Sequence, residues 1–147
     1  MMTSVKGKLH LIYDEGNKTK AYKDSVGIWT IGVGYTRIEG RPVKEGDVLT
    51  LEQITAMLPE VLKEYEDAVN QSVTVPLHQH EFDACVCLAY NIGAGGFKGS
   101  TVVKLINAGQ KRSAEFALAW FMWHKPFEIV KRRWNDANLF IKGVYLG

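Results

Sequence analysis

Glu15-Gly16, Ala21-Tyr22-Lys23-Asp24 and Gly27-Ile28-Trp29-Thr30-Ile31-Gly32-Val33-Gly34-Tyr35-Thr36 fall within one short stretch of the 147-residue chain, and the reading of that stretch decides the fold. Ahead of it, Val5, Leu9, Ile12 and Tyr13 recur at helical spacing over residues 3–14. Gly16 can cap that helix in the left-handed region, which places Glu15 at the helix end. Beyond it, glycines at 27, 32, 34 and 40 punctuate β-prone pieces at 21–23, 28–31 and 33–36. The pattern predicts a small antiparallel sheet, too slight to stand without helices against it.

Downstream the period changes. Thr50-Leu51-Glu52-Gln53 has the form of a capping box, and Leu51, Ile54, Leu58, Val61, Leu62, Tyr65 and Val69 share one helical face. Pro59 is expected to kink that helix or reset its start. A further helix is predicted from Leu77 to Asn91, with Phe82, Cys85, Val86, Ala89 and Ile92 inward, then a break at 93–96. Ser100 or Thr101 caps the next, residues 113–123 form another, and Pro126 opens a last one that runs to Phe140. One helix, a small sheet and several helices make an α+β class.

Length and composition fit one ordinary globular domain that needs no covalent staples. Residues 1–70 carry 9 Lys/Arg against 11 Asp/Glu, and residues 71–147 carry 9 against 5. The second half is therefore mildly basic, which suits an anionic polymer, although ordinary surface variation covers so small an excess. Cys85 and Cys87, two residues apart on a helix, point to different faces and read as small buried hydrophobes. No secretory apolar core opens the sequence and no apolar run reaches membrane-spanning length, so neither a signal peptide nor a membrane anchor is expected.

Glu15 and Asp24 suit a particular chemistry. Breaking a glycosidic bond needs a proton for the leaving oxygen and a second carboxyl in a different environment. At a helix C-terminus the backbone carbonyls disfavour an anion, and apolar neighbours add desolvation, so Glu15 is the candidate acid. Asp24, on or beside a hairpin in a wetter setting, stays ionised and can orient or deprotonate a water. The Thr30 hydroxyl, both donor and acceptor, can hold the same water.

The spacing of Glu15, Asp24 and Thr30, with the flanking Trp29-Thr30-Ile31-Gly32-Val33-Gly34, resembles the phage lysozymes, the muramidases of glycoside hydrolase family 24. Pro76-Leu77, Glu81-Phe82-Asp83-Ala84, Tyr90-Asn91-Ile92-Gly93, Gly99-Ser100-Thr101-Val102, Arg132-Arg133 and Asn138-Leu139-Phe140 continue the resemblance through nearly the whole chain. It implies hydrolysis of the β-1,4 bond between N-acetylmuramic acid and N-acetylglucosamine in bacterial peptidoglycan, for phage-driven host lysis. Glu15 would be the acid, with Asp24 and Thr30 serving the water, and inversion of configuration is implied.

The implied fold is lysozyme-like. A β lobe at about 15–49 and a helical lobe at about 71–147, with residues 1–14 packed on it, flank a cleft and are joined by a helix at about 50–70, all within one domain. No metal or cofactor is required. Peptidoglycan is the expected partner, with no nucleic acid. The protein is expected as a monomer held in the host cytoplasm, released to the wall through a pore made by a separate holin with which no direct contact is expected.

Four positions depart from the family pattern: Tyr35 replaces a usual His, Asp136 a usual Glu, and Glu128-Ile129 a usual Gly-Leu. Trp29, Asn91, Arg132 and Arg133 are candidate substrate contacts, a solvated helix face being the competing reading of the Arg pair. His78 and His80 diverge on a helix and make a poor metal pair. Trp120, Phe121 and Trp123 read as core rather than sugar platforms. A lytic transglycosylase would need the acid but not Asp24 or Thr30, and a basic wall-binding module would not need Glu15, so hydrolysis is the preferred reading.

Overall fold

The computed structural model describes residues 1–122 and 127–147, and side chains outside 123–130. Trp123 and Pro126 therefore lie outside the described residues, as do the side chains of Glu128 and Ile129. Helix α1 spans Val5–Glu15, and Ser4 caps it by accepting from the Gly7 amide. The first hairpin pairs β1 (Lys18–Lys23) with β2 (Trp29–Gly32), with Tyr22 opposite Thr30 and Lys23 opposite Trp29. A second, two-residue ladder pairs β3 (Arg37–Ile38) with β4 (Arg41–Pro42). Five of the remaining helices follow as α2 (Leu51–Ser72), α3 (Gln79–Ile92), α4 (Ala94–Lys98), α5 (Thr101–Asn107) and α6 (Ala114–Ala119), before α7 (Phe127–Lys142). The result is the small β lobe and larger helical lobe expected for the fold, with α2 between them.

Several expectations change in detail. Val5, Leu9 and Tyr13 are the exposed face of α1, whereas Gly7, His10, Leu11 and Ile12 are buried. The apolar spacing misleads here because the core of this lobe offers polar partners, and the buried face is built around His10. Pro59 does not reset α2, which runs unbroken from its Thr50–Gln53 capping box to Ser72. The expected break at 93–96 is narrower: Gly93 alone turns the chain, with φ 91°, and Ala94, Gly95 and Gly96 already belong to α4. Ser100 rather than Thr101 caps α5, and the segment after Ser113 is helical only as far as Ala119.

Phe116, Trp120 and Phe140 pack ring to ring at 5.0–6.0 Å in the core of the helical lobe. Cys85 and Cys87 are free and fully buried, as small hydrophobes on α3. Helix α3 packs against α1, α2, α4 and α7, so it is the pillar on which those four helices lean.

At Gly7, α1 lies tightly against Asp83 of α3. A Cβ there would stand 2.5 Å from the Asp83 Cγ. Asp83 is fully buried and fixed by donors from Ser4, Gln79 and Tyr145, so it cannot swing away. Gly7→Ala is expected to cost about 1–3 kcal/mol through overpacking, despite the better helix propensity of Ala. An unchanged thermal midpoint would show that the two helices can separate without penalty.

Candidate active site

The end of α1 delivers Glu15 to the wall of a cleft of about 800 Å³. Val33, Gly34, Tyr35, Thr36 and Arg37 line the cleft on the β side, Val61 and Tyr65 line it from α2, and Tyr90 and Asn91 line it from α3. Two hydroxyls fix the β-side rim. Tyr35, in place of the usual His, is buried and donates to the Ile54 carbonyl of α2 at 2.8 Å, while Tyr90 donates to the Val33 carbonyl. Gly32 permits this turn: its φ is 68°, and a Cβ there would meet the Tyr35 ring at 2.9 Å.

Glu15 is held from two sides. Asn91 Nδ2 donates to Oε1 at 3.2 Å and Arg132 Nη1 to Oε2 at 2.8 Å. Only 10% of its side chain is exposed. Burial pushes its pKa above the ordinary carboxyl value, against the opposing pull of Arg132 and then Asn91. A carboxyl that is both fixed and raised is suited to carry a proton to a leaving group.

Asp24 and Thr30 stand together on the β1–β2 hairpin, outside the residues that line the cavity beside Glu15. Ile28 links them. Asp24 Oδ1 accepts from the Val26 and Ile28 amides, and the buried Thr30 hydroxyl donates to the Ile28 carbonyl at 2.9 Å. The Asp24 turn thereby holds its carboxylate in place. With its proton committed to Ile28, Thr30 Oγ1 is left to act as an acceptor.

The other candidates divide. Asn91 and Arg132 both reach Glu15 and hold its carboxyl from two sides. Trp29 is half-buried with the Lys23 ammonium 5.4 Å from its ring centre, on the strand that carries Thr30. Arg133 is corrected: it is fully buried and pairs with Asp136 at 3.0 Å, so it neither faces the cleft nor forms a solvated helix face. A single residue step along the helix rotates it about 100° from Arg132, and that rotation carries it inside.

Sequence reasoning missed the polar cluster behind Glu15. His10, Asp14, Asn135 and Asp136 meet there, and no local signal marks them, because the pairs His10–Asp136 and Asp14–Asn135 join positions more than 120 residues apart. His10, Cys87 and Asp136 are the group whose ligating atoms lie within 4.8 Å of one another among the described residues. His10 and Asp136 already bond each other, and the Arg133 guanidinium beside them opposes a cation. His78 and His80 stack face to face at 5.8 Å, which is not a chelating arrangement.

Residues 13–135 match the phage lysozyme family. The chain belongs to that family. The endolysin of Salmonella phage P22 is 39% identical over 96% of this chain and 99% of its own length. In three dimensions the endolysin from Escherichia coli O157:H7 phage FAHEc1 superposes with a TM-score of 0.93 at 36% identity, covering 100% of this chain and 98% of that one. The muramidase domain of SpmX from Asticaccaulis excentricus is similar at TM-score 0.83 and 30% identity, over 95% of this phage lysozyme and 97% of that chain.

Proposed function

We propose that this phage lysozyme hydrolyses the β-1,4 bond between N-acetylmuramic acid and N-acetylglucosamine with inversion, using Glu15, Asp24 and Thr30. Peptidoglycan hydrolysis in phage-mediated host lysis is the function its family membership carries. The observation behind the division of labour is the contrast between the two carboxyls. Glu15 is enclosed and raised, and Asp24 sits on a turn that fixes it beside a hydroxyl free to accept. Glu15 protonates the glycosidic oxygen as the bond breaks. A water donating one hydrogen to Asp24 and the other to Thr30 presents its lone pair to the opposite face of the sugar. Asp24 then takes the proton that the water loses.

No helix among the described residues is long and apolar enough to cross a membrane. We infer that a monomer accumulates in the host cytoplasm and reaches the wall through a pore made by a separate holin.

Inversion has a direct signature. Proton NMR of a β-linked wall fragment at early times is expected to show the α-anomer of the new reducing end first, mutarotating later to the mixture. Asp24→Asn keeps an oxygen that can accept from Ile28, so the turn survives, while turnover falls by roughly 100-fold or more because no base remains. The β-anomer appearing first would assign a covalent retaining route to Asp24, and an anhydro-sugar product would make the protein a transglycosylase.

A further inference from the structure

The catalytic cleft does not end at its β-side rim. Arg37, Glu60 and Val61, which line it, also line a second cavity of about 460 Å³ between the β3–β4 ladder and the first half of α2. The two spaces adjoin at these three side chains, and the second falls within the roughly 300–1,000 Å³ of small-ligand sites. Ile38 and Leu49 from the β lobe, with Ala56, Met57 and Val61 from α2, give it an apolar wall. Glu39 and Glu60 bring two carboxylates to it. Among the described residues no aromatic ring lines it, so a sugar would find no stacking platform there.

Arg37 stands where the two spaces join. Glu39 and Gly40 turn the chain with φ 50° and 80°, and the Gly40 carbonyl accepts from Arg37 Nη2 at 2.6 Å, so the tight turn fixes the guanidinium. That bond leaves the other N–H donors of the guanidinium unused. Lys63, which also lines the cleft, lies 3.7 Å from Asp67, whereas Arg37 has no carboxylate partner among the described residues.

We propose that Arg37 binds a carboxylate of the peptide carried by the muramoyl residue, and that the second cavity receives that peptide. This deepens the muramidase reading of the cleft, on which it rests, from the glycan to its substituent. The glycan itself offers Arg37 no partner: N-acetylglucosamine and peptide-linked N-acetylmuramic acid are uncharged, so the anions of the polymer are its peptide carboxylates. The charges of the cavity select the same ligand. One guanidinium with two carboxylates suits a zwitterion, and a stem peptide containing a diamino acid carries an ammonium, carboxylates and alkyl side chains together. A polyanion would be repelled by Glu39 and Glu60.

A double cycle tests the contact, with one change made on the protein and the other on the substrate. Sacculi with diamino-acid stem peptides are treated with carbodiimide and excess ammonia, which converts their carboxylates to uncharged amides. Amidation is expected to lower wild-type kcat/KM about tenfold, the size of one charge-assisted contact. Arg37→Gln, whose amide can still donate to the Gly40 carbonyl, should cleave both walls alike, at the rate of wild type on the amidated one. Ala56→Trp keeps Arg37 but fills the second cavity, and it too should lose its sensitivity to amidation. Both positions are exposed, so the thermal midpoints should match wild type. If the losses from amidation and from Arg37→Gln multiply, or if neither change slows cleavage, the proposal falls. Full sensitivity in Ala56→Trp overturns the placement of the peptide in the second cavity. Wild type that cleaves neither wall removes the hydrolase reading and this contact with it, whereas cleavage with multiplied losses removes the contact alone.

Discussion

Replacing Glu15 with Gln is expected to reduce peptidoglycan cleavage by roughly 10²–10⁴-fold while leaving the fold intact. The amide occupies the same volume, and its oxygen still accepts from Arg132 or Asn91, so the cleft wall keeps its shape. What disappears is the transferable proton. The stability of the variant separates this loss from unfolding. Because burial raises the Glu15 pKa, folding favours its protonated form, a contribution present below the unfolded carboxyl pKa and lost as pH rises through the folded value. At neutral pH the neutral Gln avoids that loss. Glu15→Gln should therefore unfold at the same temperature as wild type or higher, and the difference should vanish near pH 3. Fragment release by the variant within tenfold of wild type would move the acid elsewhere. A lower melting point would point to a structural role for the carboxylate with Arg132.

How much could be read from the sequence varied with the range of the interaction. The Thr50 cap, the extent of α2 and the first two β pieces depend on near neighbours and stand as read, whereas the piece expected at 33–36 is a turn with a single bridge between Ile31 and Tyr35. Glu15 at a helix end was equally legible, because Gly16 marks the stop and takes φ 81°. The α1 face was misread for a long-range reason. His10 is inside only because Asp136, 126 residues later, accepts from its ring. Likewise, nothing local distinguishes Arg132 from Arg133, and only the packing of α7 on α3 and α1 sends one to the cleft and the other into the core. Tyr35 was seen as a departure, yet its hydroxyl bond to the Ile54 carbonyl required knowing where α2 passes.

Arg133 also supplies the largest effect on stability. It is fully buried, and among the described residues its only ion pair is with Asp136 and its Nε and Nη2 have no hydrogen-bond partner. Asp136→Ala strands that cation and removes the acceptor of His10 Nε2, so it is expected to cost about 3–5 kcal/mol. Against a total stability of roughly 5–15 kcal/mol, such a loss lowers the thermal midpoint by about 10 °C in a chain of this size. Asp136→Asn is the milder companion, since its oxygen still accepts one of the two donors. The double variant Arg133→Met with Asp136→Ala should recover part of the loss, because a thioether fills the space with no charge to leave unpaired. Recovery identifies the stranded charge as the cause. If the double variant is instead as unstable as the sum of its parts, the cost lies in the cavity and the His10 bond, and Arg133 is neutralised by solvent reaching it through the cluster.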